Sequence, residues 1–205
     1  LPVVSHCLCG SAAEARAAVR TLGEPVAIKA CSIDVPHKSE HDLVALNVTD
    51  EGEAARIFDE QMAKLHALGA RCDGVLVAGM RKGRREFMIG ARVDPVFGAV
   101  VIVGDGGKYV EALQDFSILV PPFDASEVKQ ALRRLRISPL LDGVRGEPPL
   151  DVEALAAAVI GVGRLVRSAG RQIVSIDLNP VMVGADGEGV VVLDALVERG
   201  EPGTK

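Results

Sequence analysis

Aromatic side chains make up only 3% of the chain, with one tyrosine and no tryptophan. So few rings cannot stack a run of bases. Positive charge is also in deficit, because 23 Lys and Arg stand against 28 Asp and Glu for a formal net charge of -5. Together these exclude a nucleic-acid surface, which needs a basic footprint. No apolar run approaches the roughly 18 residues of a membrane-crossing helix, and the opening LPVVSHCLCGS lacks a basic leader followed by an apolar stretch. Neither membrane contact nor secretion is expected. Cys7, Cys9, Cys31 and Cys72 lack the paired spacing of a zinc site and are too few for a disulfide framework. That usage points to a reducing compartment, the cytoplasm, with the cysteines as small core residues.

Hydrophobic residues are plentiful at 48% of 205, enough for a core in one domain or in two lobes. The stretch Pro25 to Val44, PVAIKACSIDVPHKSEHDLV, organises the rest. It reads as a buried strand over 26–30 with Lys29 in its middle, followed by a loop carrying Pro36, His37, Lys38 and Ser39. A buried ammonium needs an anion beside it, which is either a carboxylate of the protein or a ligand.

Around this stretch the punctuation is regular. Ser11 with Glu14 makes a capping-box pattern for an alanine-rich helix ending at Gly23. A second strand over 43–48, with one face well buried, pairs back onto the first across the histidine loop. Thr49 or Asp50 caps a helix with apolar positions Ala54, Ile57, Phe58, Met62 and Leu65. Strands follow at Val75–Val77, Phe87–Val93 and Val100–Val103, with Arg81, Lys82, Arg84 and Arg85 read as a solvated turn. Asp124 with Glu127 and then Asp151 start two further helices, joined by the connector SPLLDGVRGEPP. Its Arg145 is read as solvated.

Two features carry chemistry. Gly104-Asp-Gly-Gly107 comes straight after a strand, where bare backbone N–H groups either converge on an anion or simply make a tight turn. Near the end, strands over 173–180 and 190–197 flank GADGEG, and a two-residue turn at Asp186-Gly187 fixes the register. Asn179 then lies directly opposite Asp194, with Cβ atoms about 4.5–5.5 Å apart. Such a pair either binds magnesium, which takes few protein oxygens beside phosphate and water, or is a simple Asn–Asp hydrogen bond.

The lysine strand with SIDVPHKS resembles the ATP-grasp domain of NDP-forming (ADP-forming) acyl-CoA synthetases, relatives of the succinyl-CoA synthetase β subunit. The match continues through DPVFGAVVIVGDGGKYVEALQD at 94–115, LLDGVRGEPPLD at 140–151, and SIDLNPV with VLDAL. It implies an α+β, two-lobed fold with mixed or antiparallel sheets and a nucleotide cleft, the lobes being 1–78 and 79–205. It further implies binding of ATP or ADP with Mg2+: Lys29 on phosphate, Val77 and Met80 in the crossover strand at the adenine, and Glu86 at the acidic position just after it. The alternative for Glu86 is a solvated place in RKGRRE. Gly106, Gly107 and Glu111 match the family's glycine pair and the glutamate behind it. Asn179 and Asp194 match the metal ligands, with Asp177 at an acidic position two residues earlier.

His37 matches a histidine that carries phosphate to a partner CoA-ligase domain, whereas a loop histidine read alone is a surface residue. The CoA-binding part is absent from this chain, which opens on Leu1 where the family has a further helix, so a longer polypeptide is one reading. Self-association is left open. The rival functions are a catalytically lapsed domain kept as nucleotide sensor or partner-binding subunit, and a ligase acting through an acyl phosphate without His37. Three departures stand out. Leu119 replaces an arginine, and Asp42 and Leu43 replace glycines after the histidine loop. A carboxylate at Asp42 is expected to repel phosphate and weaken ATP binding, unless it is solvated.

Overall fold

The computed structural model describes residues 1–23, 25–35, 38–107 and 110–200, apart from the side chains of Ser39, Glu40, Glu111 and Arg171. Two compact units account for the chain: Val4–Arg81, and Leu1–Val3 with Lys82–Lys205. Among the described residues, no helix is long and apolar enough to cross a membrane.

In Val4–Arg81, strands β1 (His6–Cys9), β2 (Val26–Cys31), β3 (Val44–Val48) and β4 (Gly74–Gly79) form a sheet in the order β1-β4-β2-β3. All its pairings are antiparallel. Helix α1 (Ala12–Leu22) starts where the Glu14 N–H donates to Ser11 Oγ and stops at Gly23, whose φ of 64° only glycine adopts freely. Helix α2 (Glu51–Ala67) is capped by Asp50, which accepts from the Glu53 N–H. Ala15, Ala18 and Val19 of α1 and Ala54, Ile57 and Phe58 of α2 close over Val26, Ile28, Val75 and Val77. Each fully buried valine or isoleucine contributes roughly 1.5–3 kcal/mol.

Strand β3 departs from expectation. Only Val48 is buried in it, and Leu46 is 58% exposed. It is an edge strand with a single neighbour, and its alternation is broken by Asn47 at φ 61° and by a register shift opposite Val26 and Ile28. Period-two hydrophobicity therefore overstated its burial.

The second unit adds β5 (Arg85–Asp94), β6 (Gly98–Asp105), β7 (Phe116–Leu119), β8 (Ile173–Val183), β9 (Val190–Val192) and β10 (Ala195–Arg199). They form an antiparallel sheet in the order β10-β8-β5-β6-β7, with β9 also on β8. Its helices are the short α3 (Val110–Leu113), α4 (Ala125–Arg133) and α5 (Val152–Ala169). Val128 and Leu132 of α4, with Leu155, Val159, Val162 and Val166 of α5, seal Phe87, Ile89, Val101, Val103, Ile176 and Leu178. The capping box of Asp124 and Glu127 is complete in both directions.

Asp151 does more than cap α5. It is 6% exposed. One carboxylate oxygen accepts from the Ala154 N–H at 2.9 Å, and the other from the Gly187 and Gly189 N–H groups at 3.1 and 2.9 Å. It thereby clamps the tip of the β8–β9 hairpin onto the start of α5. The Ala154 donor foremost, with Gly189 and Gly187 adding and burial opposing, holds this carboxyl below the ordinary aspartate range.

Replacing Asp151 with alanine should cost about 2–4 kcal/mol, because a helix cap and two further N–H partners are lost together. Its folded-state pKa is depressed, so its contribution is complete above about pH 4 and fades as pH falls through the folded value. Urea midpoints of the unmutated chain and Asp151→Asn should therefore converge in acid. A gap that widened instead would contradict the clamp.

Candidate functional site

The β8 register decides which side chains meet. Val183, Met182 and Val181 face Val190, Val191 and Val192, and further along Leu178 faces Ala195 and Asp177 faces Leu196. These flanking pairs leave Asn179 opposite Asp194. The expected continuous strand over 190–197 is interrupted at Leu193 and Asp194, because Pro180 has no N–H to donate across the ladder. The Leu193 N–H still donates to the Pro180 carbonyl at 3.0 Å. The turn is the expected one. The Glu188 N–H donates to the Ala185 carbonyl at 2.8 Å, with Gly187 at φ 83°.

Asn179 is half-buried, and its Oδ1 accepts from the Gly107 N–H at 3.0 Å. The glycine turn after β6 is thus tied to the hairpin. The Gly106 N–H donates to the Glu86 carbonyl at 3.0 Å, and a Cβ on Gly106 would stand 2.4 Å from the Phe87 backbone. Gly107 has φ 78°, and a Cβ there would lie 2.0 Å from Glu86 Oε2. Only bare backbone fits beneath that carboxylate. Glu86 is therefore not a solvated turn residue, since it is half-buried in β5 opposite Met182. Arg85 also departs from the solvated-turn reading, because it opens β5 and pairs with buried Asp105. An aspartate between glycines reads as turn punctuation, so the sequence carried no signal for that pair.

Asp194 is half-buried, with one carboxylate oxygen accepting from the Ala195 N–H at 3.0 Å. Asp177 is exposed on β8, opposite Gly90 and Leu196. Among the described residues no three His, Cys, Asp or Glu side chains gather as a metal-binding group. An amide oxygen facing one carboxylate suits magnesium, which keeps waters and phosphate oxygens in its remaining positions. Glu111 lies in α3, and its side chain is outside the described residues.

In the Val4–Arg81 unit, Lys29 is 8% exposed on β2, between Leu76 and Val44. Its neighbour Ile28 points to the helices, so Lys29 points to the opposite face. Val77 does not offer free backbone to a ligand. It sits on inner strand β4 between Cys7 and Ile28, with its side chain fully buried. The crossover expectation is corrected there, because a strand with neighbours on both sides commits its N–H and C=O groups to ladders. Met80, just past β4, donates its N–H to the Pro25 carbonyl at 2.8 Å and accepts from the Asn47 N–H at Sδ. His37 lies outside the described residues.

The departures have structural explanations. Leu43 is fully buried with Ala30, Val35 and Leu65. Leu119 pairs with Val101 and packs against the larger core. Asp42 has φ 57°, a conformation that glycine adopts without strain and aspartate tolerates. Its carboxylate is 95% exposed and 3.7 Å from Lys64 Nζ. Of the two readings of Asp42, the solvated one is observed.

A sequence profile described as an ATP-grasp domain matches residues 1–198. The chain belongs to the ATP-grasp family. It is 36% identical over 199 residues to the β subunit of acetate–CoA ligase [ADP-forming] II of Pyrococcus furiosus, covering 96% of this chain and 84% of that subunit. It is 40% identical over 193 residues to trans-feruloyl-CoA synthase FCS1 from an unknown prokaryotic organism, covering 92% of this chain but spanning only 27% of that protein. Among solved structures, it resembles acetyl-coenzyme A synthetase 1 of Candidatus Korarchaeum cryptofilum in complex with coenzyme A and Ca-AMPCP. The TM-score is 0.88 at 32% identity, with 97% of this chain and 86% of that chain covered. A second structure of that enzyme carries Mg-AMPPCP, with a phosphohistidine segment pointing towards the nucleotide binding site. Its TM-score is 0.79 at 31% identity, covering 97% and 85% of the two chains.

In an ATP-grasp domain with a solvated Asp42, Asp42→Gly should leave ATP affinity within about twofold, because an exposed carboxylate beside an ammonium exerts little field at physiological salt. The same substitution should hold or raise the unfolding temperature, since glycine adopts this φ freely. Titration with ATP at fixed salt and a thermal melt check both, and marked tightening would put Asp42 beside the phosphates.

Proposed function

We propose that this chain is the Mg-ATP-binding part of an ADP-forming acyl-CoA ligase and passes a phosphoryl group through His37 to a CoA-ligase domain or subunit. The observation carrying this reading is the juxtaposition of Asn179 and Asp194, with the Gly107 N–H on the Asn179 amide oxygen. The proposal treats the two compact units, Val4–Arg81 and Leu1–Val3 with Lys82–Lys205, as the two ATP-grasp lobes expected over 1–78 and 79–205. The relatives are a separate β subunit and a much longer chain, which supports a CoA-ligase portion beyond this sequence.

In this reading Asn179 and Asp194 hold Mg2+, which when bound neutralises charge on phosphate oxygens. Gly106 and Gly107 let the turn pass beneath the Glu86 carboxylate and bring the Gly107 N–H onto Asn179 Oδ1, which orients that amide oxygen for the metal. Lys29 supplies a buried cation for phosphate, and Met80 marks the adenine side. His37, as a neutral imidazole, attacks the γ-phosphorus. A nitrogen–phosphorus bond forms, the bridging oxygen–phosphorus bond breaks and ADP leaves. Phosphohistidine then delivers the group to the carboxylate on the partner, giving an acyl phosphate that CoA intercepts. The net change is carboxylate, CoA and ATP to acyl-CoA, ADP and phosphate. The cytoplasm, where CoA and ATP chemistry runs and cysteines stay reduced, is the proposed setting. Leu119 in place of an arginine favours the rival reading of a lapsed, partner-binding domain.

Calorimetric titration separates the two. The unmutated chain should bind ATP with a clear magnesium requirement, and Asp194→Ala should lose at least about tenfold of the affinity seen with magnesium. Supplied with a matching CoA-ligase subunit, the chain should become phosphorylated on histidine, and His37→Asn should abolish that label. Magnesium-independent ATP binding would contradict the metal pair, and labelling that survives His37→Asn would remove the relay.

A further inference from the structure

Asp105 is only 5% exposed, yet it stands immediately before the glycine pair. Strand alternation puts it on the same face as Val101 and Val103, both fully buried, so its carboxylate sits at the end of the core side of the sheet. Its Oδ1 accepts from Arg85 Nε at 3.1 Å and Nη2 at 2.6 Å. The Asp105 N–H donates to the Asp115 carbonyl at 2.9 Å. Asp115 in turn accepts with both carboxylate oxygens, from the Arg136 N–H at 2.9 Å and the Ile137 N–H at 3.0 Å. An ion pair with its carboxylate buried and its guanidinium half-exposed is an uneconomical way to stabilise a core, because an apolar pair of similar volume does as well or better. Fixing a geometry is a use that an apolar pair cannot match.

The geometry here is that of the glycine turn. Two consecutive residues at the start of β5 grip it from different directions. Arg85 holds Asp105 by its side chain, and Glu86 receives the Gly106 N–H on its carbonyl while its carboxylate lies over Gly107. The Gly107 N–H that results is aimed at Asn179 Oδ1.

We propose that the Arg85–Asp105 pair is a latch that positions the Gly106-Gly107 turn and, through the Gly107 N–H, the Asn179 amide oxygen for Mg-ATP, with Arg85 and Asp105 as positioning residues that do not touch the nucleotide. The inference rests on the nucleotide-binding reading above. It has a distinctive sign. By charge alone, removing a carboxylate near a nucleotide site tightens binding of an anion. By positioning, the same change weakens it.

The test is titration of ATP and, separately, adenosine with magnesium into the unmutated chain and into Asp105→Asn, which keeps the shape and removes the charge. Asp105→Asn should weaken ATP about tenfold, the scale of one lost charge-assisted hydrogen bond, and leave adenosine within about twofold. Arg85→Gln should do the same, and the double variant should be no worse than either single, the mark of one coupled pair. Should Arg85→Gln fail to fold around an uncompensated aspartate, the double replacement Arg85→Met with Asp105→Leu removes both charges at once. It should keep its melting temperature while losing ATP affinity, a split that a merely structural role would not produce. ATP binding that is unchanged or tighter in Asp105→Asn, in a chain that prefers ATP to adenosine, overturns the latch alone. An unmutated chain that binds ATP no better than adenosine overturns the latch and the nucleotide-binding reading together.

Discussion

Strand β8 carries backbone ladders on both sides, with β5 along one edge and with β9 and then β10 along the other. Its register is the constraint on which the Lys82–Lys205 unit depends. A slip of one residue would turn Asn179 away from Asp194 and drive Asp177 into the place of Ile176 and Leu178, against the helices. Several independent contacts prevent it. The bulge between Phe87 and Ile89 fits one stretch of β8 only, the Asp186-Gly187 turn fixes the near end, and Asp151 fastens that turn to α5.

Much of this was legible in the sequence because the deciding signals were local. Ser11, Asp50, Asp124 and Asp151 each cap the helix that follows. The turn glycine at 187 set a register that held through two strands. What the sequence concealed depends on neighbours far along the chain. Strands β1 and β7 are four residues each, too short for a period to show. The exposure of β3 follows from its place at an edge, and the unavailability of Val77 from having β1 on its far side. Pairing of Arg85 with Asp105 joins residues that each read as belonging to a charged or glycine-rich turn. Opposed strands bring them together, and no spacing rule announces it.

The departures from the family pattern separate in the same way. Leu43 and Leu119 are packing residues, the first fully buried and the second half-buried against the larger core. Asp42 keeps the left-handed backbone a glycine would take and sends its charge into solvent beside Lys64.

The hydrophobic clusters of the two units have no residue in common. One joins α4 and α5 to the larger sheet, while the others lie wholly within Val4–Arg81. Cooperativity of melting arises where apolar surface is buried jointly, and here it is buried in separate places. Each unit therefore has its own source of all-or-none behaviour, and a core substitution is felt first by the cluster it belongs to.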